Sequence, residues 1–276
     1  MHPRSVIECV SLLHSKSLAS AVRFLRRTFH IAPVVAKMRL FPALLLTLVA
    51  AVDFSTCLEQ RDFSPACIKI LLSKTMGTLL VVFSTVVKLP QILKIVGAKS
   101  VSGLSATSFY TEVLSFGLMA SYSYHNQQPL STYGESVTIF FQCVLQVMLL
   151  WTYGVYSSAH IRGVLCFFLA VFGLLASGYF PEAGWQSLIL FQFPFNMLVK
   201  GSQIWANYSQ GSTGQLSFIT NFMNLGGTAV RVFTTLVEVS DQALVLNYLL
   251  TTAFNFTIVA QIMWYWNKSA PTTKRD

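Results

Sequence analysis

Lys88-Leu-Pro-Gln91 and Ser100-Val-Ser-Gly-Leu-Ser105 frame the stretch that decides the fold. The first part closes an apolar run, a short basic turn follows, and the second part opens the next apolar run. The same signature returns in weaker form 112 residues later. The matched pairs are Lys88 and Lys200, Gln91 and Gln203, Ile92 and Ile204, Ser100 and Ser212, Leu104 and Leu216, and Ser105 and Ser217. We interpret the chain as two structural repeats.

Pro90 predicts a break or kink about one turn before the end of the first helix, because proline has no backbone N–H to donate. In lipid the freed carbonyl needs a partner, which Gln91 or Lys88 could supply. The alternative is a simple helix end at the membrane interface. Ser202 replaces Pro90 in the second copy, which predicts a weaker kink there.

The composition excludes a soluble domain. Of the 276 residues, 54% are hydrophobic and 11% are charged, and the mean hydropathy is +0.58. The apolar residues come in blocks of about 20, the length that spans a bilayer. The lipid bilayer is therefore the first predicted partner.

The net charge of +9 is unevenly distributed. Residues 1–52 hold seven Lys and Arg against one Glu, which gives +6, and the rest of the chain carries +3. A nucleic-acid interface needs basic residues clustered on a folded face. We find no such cluster and expect no nucleic-acid partner.

Residues 1–52 form a basic extension that ends in a short apolar segment, 40–52. Three interpretations stay open: an upstream extension with Met38 as the true start, a cytosolic arm with a weak signal anchor, or a mitochondrial address. The polar segment 53–67 follows. Cys57 and Cys67 flank it and could pair if it faces an oxidising lumen.

Seven membrane spans fit the remaining chain. We place them near 68–90, 105–124, 135–156, 161–180, 184–205, 216–237 and 243–266. They predict an all-α membrane protein made of two parallel three-helix repeats joined by a connector helix. The corresponding domains are a lumenal segment 53–67, a first bundle 68–160, a connector 161–183, a second bundle 184–266 and a cytosolic tail 267–276.

The charges in the loops predict the orientation. The basic residues Lys94, Lys99, Arg162, Lys268, Lys274 and Arg275 lie on one side of the spans. The acidic residues Glu135, Glu182, Glu238 and Asp241 lie on the other. Because basic loops stay in the cytosol, we expect a lumenal 53–66 segment and a cytosolic C-terminus.

Ionisable residues inside the spans are the strongest functional signal, since each costs about 2.5–3.5 kcal/mol at a helix centre. Glu112 is the one acid well inside a span, and we expect it to pair with one of the cations. A cationic cavity with one acid suits a phosphate- or carboxylate-bearing ligand. The alternative for each residue is snorkelling to the interface. The cations are Lys74, Lys88, Lys200 and Arg231.

The candidate site residues combine these charges with the repeat signature. They are Lys88, Pro90, Gln91, Glu112, Lys200, Gln203 and Arg231. For the amides of Gln142, Gln146, Asn221 and Asn224 we favour a role in tying helices together over ligand contact. No catalytic constellation, metal spacing or cofactor motif occurs in the sequence. We therefore expect no enzyme activity, no metal and no cofactor.

A family resemblance adds to this interpretation. Lys88-Leu-Pro-Gln91, Gly97-Ala-Lys-Ser100 and Gly103-Leu-Ser105 look like a PQ-loop repeat. Ile70-Leu-Leu-Ser-Lys74, Thr213-Gly-Gln-Leu-Ser217, Arg231-Val-Phe-Thr234 and Tyr265-Trp-Asn267 narrow the match. Together they resemble the mannose-P-dolichol utilization defect family over about residues 57–268. The second copy has Ser202-Gln203 in place of Pro-Gln.

This resemblance implies an endoplasmic-reticulum membrane protein needed for the use of dolichol-phosphate-mannose and dolichol-phosphate-glucose in N-glycan, GPI-anchor and mannosylation pathways. It implies dolichyl-phosphate sugars and lumenal glycosyltransferases as partners, and the fold of PQ-loop and SWEET-type transporters. A small-solute carrier for sugars or amino acids is the alternative, with Glu112 as its proton site. A cargo receptor resembling the KDEL receptor shares the fold, and nothing in the sequence selects it.

Overall fold

The computed structural model describes residues 64–102, 104–213, 216–239 and 241–266. The extension 1–52, Cys57 and the tail 267–276 lie outside these residues, so the predictions for them stay predictions. Cys67 is disulfide-bonded. Its predicted partner Cys57 lies outside the described part of the chain.

The described residues form eight α-helices and no strand. In chain order they are α1 Pro65–Val87, α2 Leu89–Ala98, α3 Ala106–His125, α4 Leu130–Tyr153, α5 Ser158–Ala176, α6 Glu182–Gln210, α7 Phe218–Glu238 and α8 Gln242–Trp264. Counting α1 and α2 as one interrupted span gives seven, and each overlaps one predicted span. The predicted all-helical fold class is confirmed.

Four of these spans are long and apolar enough to cross a membrane by length and composition. They are Pro65–Ala98, Leu130–Tyr153, Ser158–Ala176 and Gln242–Trp264. Helices α3, α6 and α7 have 20, 29 and 21 residues, so their length also suffices. These three helices are less apolar than the other four spans, because several polar residues of the candidate site described below lie on them.

Several helices begin at a side-chain cap. The hydroxyl of Ser157 accepts a hydrogen bond from the backbone N–H of His160 at the start of α5, and Ser217 does the same for Thr220 at α7. The Asp241 carboxylate accepts from the N–H groups of Ala243 and Leu244 at α8. Such caps satisfy donors that have no partner within the helix. Helix α6 ends at Gly211, whose φ of 60° favours glycine.

The first helix is interrupted where the sequence predicts. Helix α1 ends at Val87, Lys88 lies outside both helices, and α2 resumes at Leu89 with Pro90 in its first turn. The predicted position relative to the helix end is wrong, because α2 continues to Ala98. A proline is tolerated in the first turn of a new helix, so the helix restarts and does not end.

In the second copy α6 runs without interruption through Lys200 and Ser202 to Gln210. Ser202 has the backbone N–H that Pro90 lacks, and its hydroxyl bonds the carbonyl oxygen of Val199 at 2.9 Å. The predicted difference between the two copies is confirmed.

The described chain divides into two compact units. The first contains Val82–Gly117 and Ser136–Phe180, and its core is an apolar cluster. Ile92, Ile95, Phe109, Val113, Cys143, Val147, Leu149 and Leu150 belong to this cluster. The second contains residues 64–81, Leu118–Glu135 and residues 181–266, and in it α8 packs against α6 and α7. The predicted domain boundaries are not tested by this division and stay a prediction.

Candidate functional site

In the first unit Lys88 pairs with Glu112, as the sequence predicts for the acid inside a span. The Lys88 Nζ atom lies 2.6 Å from Glu112 Oε1, and their side chains are 16% and 31% exposed. The thiol of Cys143 donates to the other carboxylate oxygen at 3.8 Å. Within this unit the charge of Lys88 is therefore compensated, and the pair is electrically neutral.

The broken first helix is held by Gln142 of α4. In an unbroken helix the Lys88 N–H would donate to the Ser84 carbonyl oxygen, four residues earlier. Here Gln142 Oε1 accepts from the Lys88 N–H at 3.1 Å, and Gln142 Nε2 donates to the Ser84 oxygen at 2.7 Å. One amide thus satisfies the Lys88 N–H and the Ser84 carbonyl, which would bond each other in an unbroken helix.

The prediction that Gln91 or Lys88 would satisfy the freed backbone is wrong. The Gln91 side-chain oxygen accepts from Gln146 Nε2 at 2.9 Å, and the Lys88 ammonium is held by Glu112. Gln142 lies one turn from Gln146 on the neighbouring helix α4. Gln142 contacts the break itself, and Gln146 contacts Gln91 beyond it. The prediction that Gln142 and Gln146 tie helices together is confirmed.

In the second unit Lys200 has a neutral partner. Its Nζ atom donates to the side-chain oxygen of Asn255 at 2.7 Å. The Asn255 amide donates in turn to the Thr228 hydroxyl at 3.2 Å and to the Asn224 carbonyl at 3.4 Å. In the described residues Lys200 forms no ion pair. Its positive charge is therefore not compensated by a carboxylate there.

The two lysines have matched neighbours but different direct partners. The shift that relates Lys88 to Lys200 also relates Glu112 to Asn224 and Cys143 to Asn255. Lys88 bonds Glu112 on the second helix of its repeat, whereas Lys200 bonds Asn255 on the third helix of its repeat. The carboxylate occurs in the first repeat only, so the two copies differ in net charge.

Gln203, the repeat partner of Gln91, is half-buried on α6, and no hydrogen bond of its side chain occurs among the described residues. The link between the first and third helices of this repeat is made by Asn207 and Gln261. Asn207 Nδ2 donates to Gln261 Oε1 at 2.9 Å, and Gln261 Nε2 donates to the Ile204 carbonyl at 3.0 Å. This link takes the place of the Gln91–Gln146 pair of the first repeat.

Arg231 is 2% exposed and does not snorkel. Its Nε atom lies 2.7 Å from Glu135 Oε1, and Nη1 donates to the Ser131 carbonyl at 2.8 Å. Nη2 is buried without a hydrogen-bond partner in the part of the chain that the structure describes. Arg231 therefore joins α7 to the start of α4.

Glu238 extends this junction at the end of α7. Its two carboxylate oxygens accept hydrogen bonds from the hydroxyls of Ser73 and Ser131, each at 2.5 Å. Ser131 thus contacts Glu238 through its hydroxyl and Arg231 through its carbonyl. The Arg231, Glu135 and Glu238 set joins α1, α4 and α7 within the second unit.

The predicted site residues do not all meet. Lys88 contacts Glu112, and Gln91 lies near them on α2, whereas Lys200 and Arg231 have separate partners within the second unit. Pro90 is exposed and acts through the backbone. Asn255 was not predicted as the partner of Lys200. The 112-residue shift does not identify it, because it relates Glu112, the partner of Lys88, to Asn224. No cluster that could hold a metal ion occurs in the described residues.

A comparison with known protein families agrees with the division of the chain into two repeats. The PQ loop repeat family model matches residues 72–132 and 203–244, one stretch in each predicted repeat. The comparison with solved structures finds no match. The chain therefore contains two PQ-loop repeats in a multi-pass membrane protein. Such repeats suggest a protein of the membrane-transporter or solute-carrier type.

Proposed function

We propose that this protein is an endoplasmic-reticulum membrane factor that transports, presents or chaperones dolichyl-phosphate-mannose and dolichyl-phosphate-glucose. These lipids donate sugars for N-glycans, GPI anchors and protein mannosylation. The proposed partners are these lipids and the lumenal glycosyltransferases that use them. We propose that the protein itself catalyses no reaction. The resemblance over residues 57–268 supplies the lipid class, and the two PQ-loop repeats support a multi-pass membrane protein.

The observation that carries the proposal is the uncompensated charge of Lys200. A dolichyl-phosphate sugar has a phosphodiester with a single negative charge. A half-buried ammonium beside a neutral Asn255 can supply the matching single positive charge. A charge-assisted hydrogen bond to phosphate is stronger than one between neutral groups. Lys200 is therefore the residue to which we assign the phosphate contact.

The other predicted residues receive supporting roles in this proposal. Lys88 is neutralised by Glu112, and Arg231 is held by Glu135 and Ser131. An anion would have to displace these carboxylates to bind there. We propose that Lys88, Pro90 and Gln91 shape the interrupted helix and that Arg231 fixes the position of α7. Gln203 lies one turn after Lys200 on α6, so it can contact the same ligand.

The test uses a null strain and its lipid-linked oligosaccharides. We expect the strain to make dolichyl-phosphate-mannose and to accumulate truncated oligosaccharides. The wild-type protein and Lys200→Arg should restore extension, whereas Lys200→Met should not. Lys94→Met is the matched control, because Lys94 is an exposed lysine of α2. Normal oligosaccharide extension in the null strain would contradict the proposal.

A second candidate is a small-solute carrier of the same repeat class. The Glu112 carboxylate lies inside a span beside Lys88 and is 31% exposed, and we assign it as the proton site of such a carrier. This function predicts flux of a sugar or amino acid in proteoliposomes and its loss in Glu112→Gln. The absence of flux across a panel of sugars and amino acids would exclude it.

A further inference from the structure

A cavity of about 600 Å³ lies in the second unit, and neither Lys200 nor Arg231 belongs to its lining. The end of α3 and the turn before α4 form one side of it, and the starts of α6 and α8 form the rest. The connections that meet there are the ones for which the sequence predicts a lumenal position. The volume falls within the range of about 300–1,000 Å³ that small-molecule sites have.

Gln128 gives this cavity an unused pair of hydrogen-bonding atoms. The residue is 9% exposed and lines the cavity. Both its Oε1 and its Nε2 are buried, and neither has a hydrogen-bond partner among the described residues. Buried side-chain amides are normally paired, and each exception calls for a partner. The amide offers a donor and an acceptor together, which matches a pair of neighbouring hydroxyl groups.

The charges of the lining select against an anion. Glu182 and Asp241 are carboxylates, and the lining contains no Lys or Arg in the described residues. Asp241 is already engaged: Oδ1 accepts from the N–H groups of Ala243 and Leu244, and Oδ2 accepts from the hydroxyl of Tyr122. Asp241 therefore has little capacity left for a cation. Glu182 contacts His125 and is otherwise open to accept hydrogen bonds, and the amides in the lining offer both donors and acceptors.

The cavity also has a rigid aromatic residue. The Trp185 indole is 4% exposed and stacks on His125 with ring centroids 4.3 Å apart. His125 Nε2 lies 3.1 Å from Glu182, which holds the stack in place. The lining therefore combines apolar residues, among them Trp185 and Leu190, with several amides. This mixture suits a ligand with hydroxyl groups and an apolar ring face.

We infer that this Gln128 cavity binds an uncharged sugar through its hydroxyl groups. The proposed function enters only in the choice of mannose and glucose as the sugars to test. The site is separate from the phosphate contact that we assign to Lys200. It adds a place for the carbohydrate part of a ligand, or for a free sugar.

The experiment measures binding to the full-length protein in lipid nanodiscs by saturation-transfer NMR. The probes are methyl α-mannoside and methyl β-glucoside, with inorganic phosphate and choline as charged comparators. The test variants are Gln128→Leu and Gln186→Leu, both in the cavity lining. Gln210→Leu is the matched control, because Gln210 is exposed at the end of α6, outside this lining.

We expect saturable binding of at least one methyl glycoside, no competition from phosphate or choline, and no effect of Gln210→Leu. Gln128→Leu should weaken binding about tenfold or more while thermal stability stays equal or rises, because it removes a buried polar group without a partner. Gln186→Leu, an exposed position, should fold normally and also weaken binding. This second variant tests the site even where Gln128→Leu fails to fold.

The inference is overturned by absence of glycoside binding, by unchanged affinity in both cavity variants, or by stronger binding of phosphate or choline. The probes carry neither phosphate nor dolichol. A failure here therefore leaves the lipid-phosphate proposal intact, and a failure of the oligosaccharide assay leaves the sugar site intact.

Discussion

The ammonium group of Lys200 lies 2.7 Å from the side-chain oxygen of Asn255, whereas its repeat partner Lys88 lies 2.6 Å from the carboxylate of Glu112. Lys88 thus belongs to a neutral ion pair, whereas Lys200 is a cation with a neutral partner. Under the proposed function, the second repeat is therefore the place where an anion binds.

The interrupted helix predicts coupling between Pro90 and Gln142. Gln142→Leu leaves the Lys88 N–H and the Ser84 carbonyl without their partner, at about 1–3 kcal/mol for each buried group. We expect thermal stability to fall by about 4–24 °C in the wild-type background, since the two groups together cost about 2–6 kcal/mol. With Pro90→Ala the helix can close and pair these groups itself, so the loss should be smaller. Size-exclusion thermostability assays of the wild type, the two single variants and the double variant measure this.

Gln146→Leu is the control for the Gln142→Leu and Pro90→Ala comparison, because Gln146 contacts the Gln91 side chain and not the broken backbone. Its effect on thermal stability should be the same in the wild-type background and in the Pro90→Ala background. Equal destabilisation by Gln142→Leu in both backgrounds would show that Gln142 does not bridge the break.

The Arg231–Glu135 pair predicts strong destabilisation when one partner is removed. Arg231→Leu leaves the Glu135 carboxylate without its cation, at a position where the arginine is 2% exposed. Breaking a buried pair costs about 3–5 kcal/mol, or about 6–20 °C in thermal stability for a chain of this size. The double variant Arg231→Leu with Glu135→Leu should recover much of this loss. Additive losses would instead show that the two side chains do not depend on each other.

Gly77 marks a close approach of α1 to α4. A Cβ atom at this position would lie 2.5 Å from the Ser131 carbonyl oxygen, the atom that also accepts from Arg231. Gly77→Ala should therefore lower thermal stability and disturb the Arg231 contact. Gly173→Ala is the control, since a Cβ there meets nothing within 4 Å. Alanine favours a helix by about 1 kcal/mol over glycine, so the control should be neutral or stabilising. A tolerated Gly77→Ala would contradict this close packing.

Hydropathy and the repeated signature were enough to predict the helices, because each span is set by local composition. The interruption near Pro90 was also predictable, because a proline acts on the helix in which it lies. The partner of the broken backbone could not be read from the sequence, since Gln142 lies 54 residues from Lys88 and is brought there by packing. The Gln128 cavity is a similar case, because it is built from connections far apart in the chain. The pairing of Lys200 with Asn255 could not be predicted from the repeat shift either, because that shift relates Glu112 to Asn224.

The most direct test of the central claim changes only the charge beside Lys200. Asn255→Asp keeps the size of the side chain and places a carboxylate 2.7 Å from the ammonium, as Glu112 does for Lys88. We expect this variant to fold and to reach wild-type levels in the null strain, yet to leave lipid-linked oligosaccharides truncated, because Lys200 is then neutralised. Complete restoration of full-length oligosaccharides by Asn255→Asp would contradict the assignment of the phosphate contact to Lys200.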